Sequence, residues 1–462
     1  MEILPSRHLI LLLLVLFTAG VVRFTYVIFL PGQGRDLLHS DMEMYDEAGW
    51  RMSQGQPVTG KLGFNGYHPL SASTFYYPGY TYFLAAVYYL FGHSILAVRI
   101  IQAGLSMASV GLLYVIGVLI FGRRVALVAA ALSAVYLPLA YYAGLVLTET
   151  VFLILQLLVL LTWLLACGVR WPGSTATQAD GVTPISCFSL LLAAIAGMFA
   201  GMAAMTRPAF LPGIGSLALV GIFVQRNGRR WLGRLGLSLL FCLGAATAIA
   251  PVTIRNFQIH RRFILLSTNG PSAFYTAHIT KIAFLDYPTV KPMTDAEMAE
   301  EIRKVCFDYL RQHWLDYLAE IPEFFHSIFV SGEFWPNTMT AWRYSDSPDP
   351  KKGFRIRMLI DEPGGPRFGT VLHFPDLMRY VDQLLWILIG LPMGITAWMF
   401  LPRANRKWLI LYASLFPYLV VPFVASPFAR YRVPAVPLMF LLAALSVCSL
   451  MDLRRKAIEL RT

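Results

Sequence analysis

Residues 152–165 read FLILQLLVLLTWLL, a run without a single charge. Two comparable runs frame it, LLLLVLFTAGVV at 11–22 and WILIGLPMGITAWMFL at 386–401. Across the 462 residues, 57% are hydrophobic and 14% charged, where an ordinary soluble domain carries about 25% charged residues. A single water-soluble core stops growing near ~250–300 residues, so this much apolar side chain needs an apolar solvent around the protein. A bilayer is crossed by roughly 20 apolar residues in a helix. The chain reads as an all-α, multi-pass membrane protein. Composition excludes a soluble enzyme, a disordered scaffold and a disulfide-rich secreted domain.

Spans are predicted at about 9–29, 95–120, 125–142, 149–166, 187–205, 208–224, 235–250, 381–400, 408–425 and 433–451, ten in all. The net charge of +12 would suggest nucleic acid in a soluble protein, but topology explains it better, so no nucleic-acid partner is expected. Arg123 and Arg124, Arg170, the group Arg226, Arg229, Arg230 and Arg234, then Arg403, Arg406 and Lys407, and finally Arg454, Arg455 and Lys456 follow alternate spans. Lys and Arg accumulate in cytoplasmic loops, which puts all these loops and both termini inside. The five cysteines form no CxxC, and only Cys306 falls in an outer loop, so no disulfide is expected there.

Residues 74–91, TFYYPGYTYFLAAVYYLF, are long enough to span, yet crossing here would turn every later basic cluster outward. Their tyrosines and the Pro-Gly pair suit the membrane interface. Residues 31–94 then form one outer loop within an N-terminal transmembrane module, 1–250. Residues 251–380 form a large extracytoplasmic loop, and 381–462 the C-terminal helices and tail. In the large loop, 294–329 predict one or two amphipathic helices broken at Pro322, and 345–376 reads as irregular chain.

Polar groups gather at the outer ends of the spans. Ser40 and Glu43 form a capping-box pattern, and in the helix they start, Asp41, Tyr45, Ala48 and Met52 share a face, with Gly55 as the stop. Glu149 opens the fourth span in LVLTETVF. A carboxylate there either caps the helix or serves a function. Arg207 in AMTRPAF, Arg255 in APVTIRN, and Arg430 and Arg432 around Tyr431 run against the positive-inside trend. Such arginines fit anions, either the headgroups of membrane lipids or the phosphate of a bound substrate.

In order along the chain come Asp41, Tyr45, Glu47-Ala48 and Gly55, then Tyr77-Pro78 through Phe91-Gly92. The turn Phe121–Arg124, Leu147–Glu149 and Thr206–Pro208 follow. Pro251–Asn256, Ser267–Gly270 and Arg430–Pro437 close the series. This series resembles the GT-C membrane glycosyltransferases, specifically the family 39-like group of protein O-mannosyltransferases and aminoarabinose transferases. Where relatives often carry Lys or His before the interfacial proline, this chain has Tyr77, and the large soluble C-terminal domain of some relatives is not expected in it.

The resemblance implies transfer of a monosaccharide from a polyprenyl-phosphate donor to a lipid, glycan or protein acceptor at the extracytoplasmic face. Inverting single displacement in a bacterial inner membrane is the implied setting. It implies Asp41 as catalytic base with Glu149 beside it. Arg207, Arg255 and Arg430 would be donor-phosphate ligands, and Glu43, Tyr45, Tyr77 and Asn269 acceptor- or sugar-binding residues. Asp41 and Glu149 are also the candidate ligands of a divalent metal, Mg, Mn or Zn. The competing reading is a lipid-linked glycan flippase, a polymerase or another transporter. Transporters typically set their charges at mid-membrane in broken helices.

Overall fold

The computed structural model describes residues 6–30, 38, 41–58, 74–172, 186–223, 231–275, 278, 294–329, 406–424 and 429–459. The predicted span 381–400, the predicted cap Ser40, the loop 345–376 and the basic residues Arg226, Arg229 and Arg230 lie outside them. Every regular element among the described residues is helical. In chain order they begin with α1 (Ser6–Phe29), α2 (Asp41–Ser53), α3 (Pro78–Phe91), α4 (Ile95–Phe121), α5 (Arg123–Val135), α6 (Leu137–Ala143) and α7 (Glu149–Ala166). They continue with α8 (Cys187–Thr206), a 3-10 turn at Pro208–Phe210, α9 (Leu211–Phe223), α10 (Trp231–His260), α11 (Asn269–Phe274) and α12 (Asp295–Phe329). The last are α13 (Arg406–Val424), a 3-10 turn at Ala429–Arg432, and α14 (Val436–Glu459).

The chain is a multi-pass membrane protein. Among the described residues, α1, α4, α7, α8, α10 and α14 are long and apolar enough to cross a bilayer. Leu13, Leu14 and Phe17 of α1 are exposed, as befits a helix with lipid on one side. Three predicted spans differ in form. The third is a pair, α5 and α6, bent by 56° about an extended Tyr136 (φ −72°, ψ 101°), and Pro138, in the first turn of α6, has no N–H with which to continue the α5 ladder to Ala134. The sixth is short. The seventh runs ten residues beyond its predicted end at 250, so α10 carries Arg255 within its last turns and passes straight through the drawn module boundary.

Ends follow local chemistry. Gly55 (φ +68°) and Gly92 (φ +69°) stand just past α2 and α3 in left-handed geometry, which costs glycine least. At the start of α12 the Thr294 hydroxyl accepts from the Glu297 amide, and the Glu297 carboxylate accepts from the Thr294 amide, a reciprocal cap. The break in α12 falls at His313 (φ −126°, ψ 30°), not at Pro322, which stays inside the helix.

The bundle has two distinct ends. At one, Arg124 pairs with Asp452 at 2.6 Å and Lys407 donates to the Leu119 carbonyl at 2.8 Å. At the other lie the start of α4, the packed α2–α3 pair and the 3-10 turn at Ala429–Arg432. Between the ends, α8 and α10 touch backbone to backbone. A Cβ on Gly197 would stand 2.0 Å from the Phe241 carbonyl oxygen, and one on Gly244 2.3 Å from that of Ala194. Small residues allow such contact between membrane helices. Gly197→Leu should therefore lower the melting temperature in detergent by several degrees, since overpacking costs about 1–3 kcal/mol or more. Gly104→Leu on α4, where a Cβ meets nothing within 4 Å, should leave it nearly unchanged. Equal thermal melts would show that α8 and α10 are free to separate.

Candidate active site

Two acids and two arginines that the sequence scatters over most of the chain form two ion pairs. Asp41 opens α2, and its Oδ2 accepts from an Arg430 guanidinium nitrogen at 2.8 Å. Glu149 opens α7, is 2% exposed and lies 3.1 Å from an Arg207 guanidinium nitrogen. Arg207 occupies the break between α8 and the next turn (φ −144°, ψ 103°), extended because a proline follows. Thr148 stands at the N-cap of α7, and its side chain makes no cap bond.

Tyr431 joins the pairs. Its ring centroid lies 4.6 Å from the Arg207 guanidinium carbon and 5.7 Å from that of Arg430, and Phe152 stands 5.8 Å from Arg207 on another side. On α2, Tyr45 and Ala48 are buried as predicted, while Glu43 is exposed. The Tyr45 ring meets Tyr80 edge-on at 5.1 Å and Tyr77 at 6.4 Å. Burial, and then Tyr77, holds the Tyr45 hydroxyl well above its ordinary pKa. Burial, and then Tyr431, raises that of Tyr77, so both remain neutral hydrogen-bond donors at physiological pH.

The chemistry of this cluster follows from its solvation. An ion pair taken out of water forfeits several kcal/mol of hydration per charge, recovered only by close contacts and further hydrogen bonds. Glu149 has one such contact, and its Oε2 is buried without a hydrogen-bond partner. The Glu149–Arg207 pair thus holds fixed charge and an open acceptor position in a dry setting, beside an Asp41–Arg430 pair that is partly open to solvent. That arrangement favours stabilisation of charge developing during a reaction.

Tyr77 also lines a cleft of about 430 Å³ bounded by Pro208, Leu211, Thr268, Gly270, Glu300 and Arg303 among others. The cleft wall is folded back against α10 by Asn256, whose amide donates to the Ile264 and Leu266 carbonyls at 3.1 Å each. Arg262 pairs with Glu300 at its rim. Leu211 and Leu265 belong both to this cleft and to an apolar groove of about 440 Å³ between α9 and α10. Arg255 and Asn269, both predicted as site residues, are sequence neighbours of the groups that build the cleft and are not among those lining it.

Each candidate metal-ligand carboxylate faces a guanidinium, and no three His, Cys, Asp or Glu side chains converge among the described residues. That donor set does not fit a divalent cation as it stands.

Comparison with known proteins gives the architecture its relatives. Residues 68–176 match the family model for dolichyl-phosphate-mannose-protein mannosyltransferase, a stretch that holds α3 to α7 and therefore Tyr77 and Glu149. The archaeal oligosaccharyltransferase AglB from Archaeoglobus fulgidus, solved in complex with an inhibitory peptide and a dolichol-phosphate, superposes with a TM-score of 0.55 at 15% identity, over 99% of this chain and 52% of that one. The chain has the GT-C fold. The same Archaeoglobus fulgidus oligosaccharyltransferase tethered to an acceptor peptide with the NVT sequon gives a TM-score of 0.55 at 16% identity, over 97% and 50% of the two chains. Its complex with Zn and sulfate gives 0.50 at 14% identity, over 96% and 49%. The chain thus spans about half the length of these oligosaccharyltransferase chains. No curated protein matches it by sequence.

Within the GT-C frame, one well-formed cluster had no signal in the sequence reading. Asp46 is buried on α2 and accepts from the Tyr88 hydroxyl at 2.5 Å, with His93 Nε2 at 2.8 Å. His93 stacks on Trp50 at 4.6 Å. This clamp docks α2 onto the end of α3 and so holds the helix that presents Asp41. Asp46 lies five residues after Asp41, off the face assigned to Asp41, Tyr45, Ala48 and Met52, and that is why spacing passed over it.

Proposed function

We propose that the protein is a membrane glycosyltransferase that moves a monosaccharide from a polyprenyl-phosphate carrier to an acceptor hydroxyl at the extracytoplasmic face. The observation that carries this reading is the placement of two arginine–carboxylate pairs beside Tyr77, at the head of a cleft continuous with an apolar groove. A lipid-phosphate donor has that shape and polarity: its chain suits the α9–α10 groove and its charged head the cleft. Asp41 takes the proton from the acceptor hydroxyl as the acceptor oxygen bonds to the anomeric carbon. The bond from that carbon to the phosphate oxygen breaks in the same step, with inversion. The departing phosphate gains charge, and Arg207 and Arg430 stabilise it. Glu149 keeps Arg207 in place and offers its free oxygen to a sugar or acceptor hydroxyl. The leaving group is a stable anion, so no second acid is needed, unlike the paired carboxyl groups of glycoside hydrolysis.

The test is purified protein in proteoliposomes with a panel of polyprenyl-phosphate sugars and candidate lipid, glycan and peptide acceptors. Transfer from at least one donor is the expected result. Hydrolysis or transbilayer movement of the donor without transfer would overturn the reading.

With this function we propose an orientation: the site end extracytoplasmic and both termini cytoplasmic, in a bacterial inner membrane. In a cysteine-free background, a cysteine at Gln54, exposed just past α2, should react with an impermeant maleimide in intact cells. One at Arg124, on the opposite end, should react only after lysis. The reverse pattern would put the cluster on the cytoplasmic side.

A further inference from the structure

Arg23 lies in the last third of α1, is fully buried and, among the described residues, is bonded to a hydroxyl and to carbonyls rather than to a carboxylate. Its Nε donates to Ser106 Oγ at 2.8 Å. Its two terminal nitrogens donate to the carbonyls of Ala19 at 3.1 Å, Ala134 at 2.9 Å and Ser133 at 2.9 Å. Ser133 and Ala134 lie in the last turn of α5, where the approach to Pro138 leaves carbonyls without helical partners. Ser106 Oγ in turn donates to the Leu139 carbonyl in α6 at 3.4 Å. One helical turn back along α4 is Gln102, also fully buried. Its amide donates to the carbonyls of Ala143 at 3.0 Å and Leu145 at 2.6 Å, and its oxygen accepts from the Tyr80 hydroxyl at 2.8 Å.

These three side chains thus bind carbonyls along the whole irregular passage from the end of α5, through α6, into the turn before α7. That turn, residues 144–148, is buried throughout and leads directly into Glu149. Inside a membrane bundle, unsatisfied carbonyls are strongly disfavoured, and ionisable residues are kept where they serve a purpose. The spine is anchored at its far end to Tyr80, which packs edge-on against Tyr45, one turn from Asp41.

We infer that the Arg23–Ser106–Gln102 spine is a positioning device that sets the place of Glu149 relative to Asp41, with Gln102 as its decisive member. The inference rests on the glycosyltransferase reading above. Gln102 touches no substrate and acts through the 144–148 turn. Loss of its three hydrogen bonds lets the turn shift, and a displacement of about 1 Å at a reacting group costs on the order of 10²-fold in rate.

The test is a double-mutant cycle in the transfer assay. Gln102→Met should lower kcat about 10–100-fold with little change in the donor KM. In a Glu149→Gln background it should cost nothing further, because the group it positions is already lost. An additive loss would overturn the inference and leave Gln102 a structural residue. If Gln102→Met does not fold, Tyr80→Phe, which removes one bond of the spine and keeps the ring, takes its place in the same cycle under the same criterion. Hydrogen exchange supplies a readout independent of activity. Amides 144–150 should exchange faster in the variant while those of 296–310 do not, and unchanged exchange would overturn the positioning role. A wild-type chain that transfers from no donor would sink the glycosyltransferase reading, and hydrogen exchange would still decide whether the spine holds the turn.

Discussion

Asp41→Asn should abolish sugar transfer while leaving the protein folded. The substitution keeps the volume and removes only the proton-accepting charge. Loss of a positioned base lowers rates by about 10²–10⁴-fold. Stability should barely change, because the Asp41–Arg430 pair is 36% and 29% exposed on its two sides, and such part-exposed pairs contribute less than about 1 kcal/mol. The measurement is initial transfer rate against thermal melting in the same detergent. Turnover near the wild-type level would remove Asp41 from the chemistry and leave it as the first residue of α2.

Arg207→Ala should behave differently, losing both stability and activity. Its partner Glu149 is buried, and stranding a buried charge costs about 3–5 kcal/mol. The lost contact to the leaving phosphate would add roughly 10–100-fold in rate, from a charge-assisted bond of about 1.5–3 kcal/mol. A second substitution separates the two effects. In Arg207→Met with Glu149→Gln no charge is left buried, so the melting temperature should recover toward wild type, as it does when buried pairs are replaced by uncharged groups of similar volume. Transfer should not recover. Recovery of both would mean that the Arg207–Glu149 pair is scaffolding only. Arg207→Lys should restore part of the activity, since it supplies charge without the two-pronged guanidinium. Arg124→Ala, at the exposed Arg124–Asp452 pair on the opposite end, should alter neither property.

What the sequence told and withheld divides along physical lines. Apolar length identifies α1, α4, α7, α8, α10 and α14, because the bilayer imposes one dimension on every span. Local stops were equally legible: Gly55 and Gly92 stand where the chain turns left-handed. The four residues Asp41, Glu149, Arg207 and Arg430 stood out because charge at a span end is unusual in itself. Their pairing did not, since helical periodicity gives the face a side chain occupies and says nothing about its neighbour on a distant helix. The sequence reading gave the acids to the acceptor and the arginines to the phosphate as separate sets, whereas Asp41 meets Arg430 and Glu149 meets Arg207. Arg23 and Gln102 were invisible for another reason. Their partners are mostly backbone carbonyls, which carry no residue identity, and both sit in predominantly apolar spans. The bend at Pro138 was readable in principle, but hydropathy averaged across it and returned one straight span.

The Asp41–Arg430 pair joins residues 389 positions apart, and this has a consequence for biosynthesis. At about 5–20 residues per second, a ribosome needs roughly 20–80 s to travel from one codon to the other. Through most of that interval α2 has been made and the Asp41 carboxylate lacks its Arg430 partner. The nascent chain can hold most of its helices and still be catalytically silent. Activity would switch on only when the turn before α14 arrives, so a chain stalled or cleaved short of it would occupy the membrane without consuming the lipid-linked sugar pool.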